Sequence, residues 1–180
     1  MDIEQEMQRL LDEEAIKRIM LRFGRSLDLG DWRGYRSCFT DDLLVDFERL
    51  TGQPKVLVDA DEWTRFAELI LSPVRRHHVY TNFTVSLDGG RATGNWYMTA
   101  RHWKATDLGA ATYNQFGWYD ASFVRITDEW KIDYIKHDFQ WVEGNNALFD
   151  MSEPQLVAQM GRVFTPENFT AAAALEREVA

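Results

Sequence analysis

Ile16, Ile19, Met20, Phe23 and Leu27 fall on one side of a 3.6-residue repeat, which predicts an amphipathic helix over residues 12 to 28 with Asp12 as its cap. The Asp28-Leu-Gly-Asp31 stretch ends that stripe, and Asp31 is placed to cap a second, short helix carrying Trp32, Tyr35 and Phe39. Residues 43 to 47 read as a strand, and residues 62 to 71 return to helical spacing through Trp63, Phe66, Ala67 and Ile70 before Ser72-Pro73 stops them. From His77 the pattern changes to long β-type runs over residues 77 to 87, 92 to 105, 111 to 126 and 130 to 141. Each break between them carries turn residues such as Asp88-Gly-Gly. Beyond Glu143 the pattern weakens, with a helix expected from Ser152 and Pro154 to Val163 and an Ala/Glu-rich tail over residues 170 to 180.

Three helices ahead of an antiparallel meander predict an α+β domain, in which a strongly curved sheet forms a cone-shaped barrel and the helices enclose an apolar cavity. We assign residues 1–150 to this domain and 151–180 to a C-terminal helical segment and tail. A length of 180 residues with 45% hydrophobic content supports one core. The aromatic share of 13%, with seven Trp, eleven Phe and six Tyr, points to flat, hydrophobic ligands.

Charge narrows the partners. With 29 acidic and 20 basic residues the formal charge is -9, so nucleic acid and anionic membrane surfaces are not expected partners. A single cysteine, Cys38, and the absence of an opening basic and apolar leader favour a cytoplasmic setting. Neither metal-ligand spacing nor a phosphate-binding glycine loop occurs, so no metal or nucleotide cofactor is expected.

Three stretches carry a family likeness: Ser26-Leu-Asp-Leu-Gly-Asp-Trp32, His78-Val-Tyr-Thr-Asn82 and Asp128-Glu-Trp-Lys-Ile132. Together they resemble the SnoaL-like branch of the nuclear-transport-factor-2-like superfamily, which includes scytalone dehydratase, hexachlorocyclohexane dehydrochlorinase, bile-acid dehydratase and polyketide cyclases. The resemblance implies that Asp28 orients His78, that His78 removes a proton, and that His102 is a second active-site histidine. It also shows departures, since Leu27 and Phe47 stand where scytalone dehydratase has tyrosines, Phe23 where the dehydrochlorinase has its lysine, and Ala100 where the bile-acid enzyme is acidic.

Strand parity adds candidates. His102 shares a face with Gly94, Trp96, Met98 and Ala100, and Tyr119 shares one with Tyr113, Gln115, Gly117, Ala121 and Phe123. Tyr119 is the candidate donor to a substrate oxygen, alongside His102. The wall is assigned to Phe23, Phe47, Trp63, Trp96, Met98 and Tyr113, and His137 is given no part in the site. The expected function is a cofactor-independent lyase or isomerase, dehydratase-like, acting on a small hydrophobic polyketide, aromatic, steroid or terpenoid compound. The alternatives are a binding module of the same fold and an epoxide-hydrolase-type enzyme. On the opposite face Tyr97, Thr99, Arg101 and Trp103 adjoin Asn114, Phe116 and Trp118, which predicts a homodimer or homotrimer through the outer sheet.

Overall fold

A computed structural model describes residues 2–179, with side chains through Leu175. The helices α1 (Ile3–Leu29), α2 (Trp32–Arg36), α3 (Glu48–Thr51) and α4 (Ala60–Leu71) interleave with the strands β1 (Phe39–Asp46) and β2 (Val56–Asp59). Four long strands follow, β3 (Arg75–Asp88), β4 (Arg91–Thr106), β5 (Gly109–Ile126) and β6 (Glu129–Gly144), then a 3-10 turn (Asn146–Leu148), α5 (Pro154–Val163) and α6 (Pro166–Val179).

The chain is α+β, as its pattern predicts, and the four long strands form an antiparallel meander. The sheet differs from the expectation in two ways. It has six strands in the order β2-β1-β6-β5-β4-β3 and does not close on itself, and β1 pairs with β6 in parallel. The result is the expected cone, with its sheet left open. Its curvature is built from irregularities in register, one between Thr81 and Thr84, where Asn82 takes a left-handed φ of 54°, and two along β5 and β6. At one of these Gly117 is required, because a Cβ there would lie 2.0 Å from the carbonyl oxygen of Asp138.

The predicted stripe of α1 is the buried one: Ile16, Met20, Phe23 and Leu27 are each 4% exposed or less and pack into the cone. The predicted start is not. The helix runs on to Ile3, and Asp12, expected as its cap, lies mid-helix and bonds Arg125 and the Trp130 indole N–H. Asp31 does cap α2, accepting from Gly34 N–H at 2.9 Å, but Phe39 belongs to β1 instead of that helix. The strand expected at 43 to 47 begins at Phe39 and ends at Asp46, and α4 begins at Ala60 with Asp59 as its cap. The short elements α3 and β2 lie outside the expectation. Within the supposed tail, residues 170–179 are helical, as part of α6, while Ala180 lies outside the described residues. Among the described residues no helix is long and apolar enough to cross a membrane.

Candidate functional site

Gly30 sets the position of the first functional carboxylate. Its φ of 68° is a left-handed conformation that ends α1, with its N–H bonded back to Leu27 and Ser26, so Asp28 is fixed in the last helical turn. A carboxylate at a helix C-terminus sits against the negative end of the helix dipole and needs compensation. Here β3 supplies it. The backbone N–H of His78 donates to both Asp28 oxygens at 3.0 and 3.1 Å, and His78 Nδ1 lies 2.7 Å from Asp28 Oδ1. A carboxylate oxygen accepts, so Nδ1 carries a proton; in the neutral ring Nε2 is then bare, and it has no protein partner among the described residues.

Arg76 buttresses the same corner. Its guanidinium donates to the Leu27 carbonyl at the end of α1, and to the carbonyls of Leu71 and Val74, at 2.8 and 3.0 Å, beyond the end of α4. It also lies over the Trp32 ring, 5.2 Å from the centroid. The two helix ends and the start of β3 are thereby tied through one side chain.

The His78 ring opens onto a cavity of about 400 Å³ inside the cone. His102 is another wall residue, with its ring 5.9 Å from that of His78 and nearly perpendicular to it. Its Nδ1 is 3.0 Å from the Tyr113 carbonyl oxygen, which can only accept, so Nδ1 carries the proton. Burial pushes His102 down to about 4, and the neutral ring then presents a bare Nε2. The geometry therefore suits His102 to accept a hydrogen bond and not to donate one from Nε2, contrary to the donor role expected for it.

Tyr119 also lines the cavity, stacked on Trp96 at 5.2 Å and edge-on to Phe23 at 5.3 Å, and burial holds its hydroxyl well above the usual phenol range. It stands across from His137 with ring centroids 5.2 Å apart, one end of the cavity away from His102. Of the six expected wall residues, Phe23, Phe47, Trp63 and Tyr113 line the cavity. Trp96 and Met98 share the inward face but are buried among core side chains and do not reach it. The segment after β6 contributes Asn146, Phe149 and Met151, and α5 with its following residue contributes Met160 and Phe164. Among the described residues, no three His, Cys, Asp or Glu side chains form a group that could hold a metal ion.

Residues 8–136 match the SnoaL-like domain family. The chain belongs to that family. Among solved structures this SnoaL-like protein is similar to the Kfla4162 protein of Kribbella flavida, at 28% identity and a TM-score of 0.73 over 78% of this chain and 97% of that one. It is similar in fold to a scytalone-dehydratase-like protein of Novosphingobium aromaticivorans DSM 12444, at 17% identity and a TM-score of 0.67 over 77% and 90% of the two chains. A third similar fold is the hexachlorocyclohexane dehydrochlorinase LinA-type3 of Novosphingobium barchaimii LL02, at 13% identity and a TM-score of 0.65 over 81% and 97%. Among curated proteins no match is found. The fold of this SnoaL-like domain is thus one that lyases use.

Gln115 and His137, both polar, buried and in the wall, were not among the sequence candidates. Gln115 was visible as an inward position of β5, yet an amide in a strand carries no sequence signal of chemistry. His137 could not be placed by parity. Trp130 and Ile132 are buried, and the pattern would continue to Tyr134 and Lys136, but a register shift near Asp133 moves burial to Ile135 and His137.

Proposed function

We propose that this protein is a cofactor-independent lyase or isomerase that removes a carbon-bound proton from a small hydrophobic carbonyl or hydroxyl compound, with dehydration as the favoured reaction. The observation that carries the reading is the 2.7 Å contact between His78 Nδ1 and Asp28, which leaves a basic Nε2 at the wall of an apolar cavity. In the reaction Nε2 takes the proton, the electron pair left on carbon moves into a carbonyl to give an enolate, and Asp28 offsets the charge on the imidazolium. In a dehydration the enolate then expels the neighbouring hydroxyl, which leaves as water with the proton carried by His78. Nothing is consumed, so the protein returns to its starting state. His102 Nε2 is suited to orient that hydroxyl by accepting its hydrogen.

The substrate class follows from the cavity. Its volume suits a mono- to tricyclic compound, and its wall of Phe23, Phe47, Trp63 and Tyr113 suits flat rings. The test is to incubate cyclic ketones and β-hydroxy ketones in D₂O and follow α-deuterium uptake and loss of water by mass spectrometry. The wild-type chain should exchange or dehydrate at least one of them, His78→Ala should abolish this while ligand binding persists, and Asp28→Asn should slow it about 10²-fold or more. Binding without exchange or elimination across the whole panel would make the protein a binding module. Near-normal rates in Asp28→Asn would remove the Asp–His pair from the mechanism.

A further inference from the structure

The Asp28–His78 pair leaves two buried polar groups of the cavity unexplained. Gln115 on β5 and His137 on β6 are 4% and 2% exposed, both line the cavity, and His137 Nε2 is 3.2 Å from Gln115 Oε1. His137 Nδ1 is buried with no partner. The position of its proton decides what Gln115 offers. Burial pushes His137 down to about 3, so the ring is neutral with one N–H. A sealed N–H without an acceptor is rarer than a sealed lone pair, which assigns the proton to Nε2, where Gln115 Oε1 accepts it. Gln115 is then locked with its Nε2 group turned away from His137. That nitrogen makes no hydrogen bond among the described residues, and it is absent from the unpaired polar atoms sealed in the core. It therefore faces the cavity as a donor in waiting.

The sheet register fixes where this donor stands relative to His78. His78 pairs with Ala100, and Ala100 pairs with Gln115, so the three lie in one row across β3, β4 and β5. Two strand spacings separate the backbones of His78 and Gln115 by about 10 Å, and between them Ala100 raises only a methyl group. Ala100 lies beneath the wall, in the core, and a flat molecule in the cavity has His78 on one side and Gln115 on the other. The concavity of the sheet tips both side chains toward it.

We propose that Gln115, held by His137, is the hydrogen-bond donor to a carbonyl oxygen of the ligand, so the site selects apolar ketones over hydrocarbons of the same shape. Where that oxygen becomes an enolate, the donor strengthens as charge develops. This catalytic part rests on the lyase reading above, whereas the binding part does not. His102 cannot take the role, because its cavity-facing nitrogen is an acceptor. His137 acts as a positioning residue, through the amide alone.

The probes are 1-tetralone and tetralin, which share a bicyclic frame and differ by one acceptor oxygen. Titration followed by tryptophan fluorescence, with Trp63 in the wall as reporter, gives the ratio of their dissociation constants, a quantity that a general loss of stability leaves unchanged. The wild-type chain should favour the ketone. Gln115→Leu and Gln115→Met should each cut that preference about 5- to 10-fold, the second while keeping the length of the side chain but offering no donor. His137→Phe should cut the ratio about 2- to 3-fold. An unchanged ratio in Gln115→Met, or no binding of 1-tetralone to the wild-type chain at millimolar concentration, would overturn the proposal. Deuterium exchange separates the two readings. A ratio that falls in the variants of a chain that exchanges nothing keeps the donor and sinks the lyase, and exchange with an unmoved ratio does the reverse.

Discussion

The two buried neutral histidines should make this protein lose stability in mild acid, by an amount the structure sets. His102 and His137 are pushed down to about 4 and about 3 by burial, against 6.5 in the unfolded chain. For a histidine with a depressed folded value, the unfolded state binds more protons between the two values. Stability is therefore complete above pH 6.5 and falls as pH drops toward the folded value. Between pH 7.5 and pH 5 each ring costs about 2 kcal/mol, and the two together about 4 kcal/mol. A domain of this kind has only about 5 to 15 kcal/mol to lose.

Urea unfolding at pH 7.5 and 5.0 measures the effect, and two substitutions isolate it. His102→Asn keeps a donor near the place of Nδ1 for the Tyr113 carbonyl, and His137→Gln keeps one near the place of Nε2 for Gln115. Each should remove about 2 kcal/mol of the acid loss, and the double variant about 4 kcal/mol. If both variants keep the pH slope of the wild-type chain, the rings are not buried neutral and the tautomers assigned from them fall as well.

On the outer sheet face, Phe116 stacks on Trp141 at 4.7 Å, Tyr97 is 49% exposed and Trp141 50%, so sedimentation should find a dimer or trimer at micromolar concentration. Tyr97→Lys with Trp141→Glu should give the monomer, and a monomeric wild-type chain would end that expectation. Gly117→Ala drives a Cβ into the β6 backbone and should cost about 1 to 3 kcal/mol or the soluble protein, read from thermal unfolding. Phe149→Ala removes a ring 5.3 Å from His102 and should both weaken 1-tetralone binding and shrink the acid loss, since His102 becomes wetter.

The elements readable from the sequence were those whose burial follows one period for several turns. The α1 stripe and the inward faces of β4 and β5 are of this kind, and so Phe23, His102 and Tyr119 were placed on the correct faces. The first turns of α1 were not, because Ile3, Met7 and Leu10 keep a helical spacing of their own but lie on the other side from the Ile16–Leu27 stripe, where they are exposed. Four-residue elements such as β2 are held by pairing with β1 and carry little period of their own. The chemistry of Gln115 depends on which way an amide is turned, and that is decided by His137 on another strand, after a bulge that parity cannot anticipate.

Arg76 joins the ends of α1 and α4 to the first residues of β3 through backbone carbonyls, so that corner can move only as a block. Breathing of the wall there would break several hydrogen bonds at once, and the route by which a ligand arrives must lie elsewhere. Beside that corner, with Leu148 packed on Val74 and Leu71, runs the stretch from Asn146 to Met151, a single 3-10 turn followed by loop, where Phe149 covers His102 and the backbone is tied mainly by its own short-range turns. The rate of exchange with solvent can change with residues 146–151 while the Asp28–His78 geometry stays fixed.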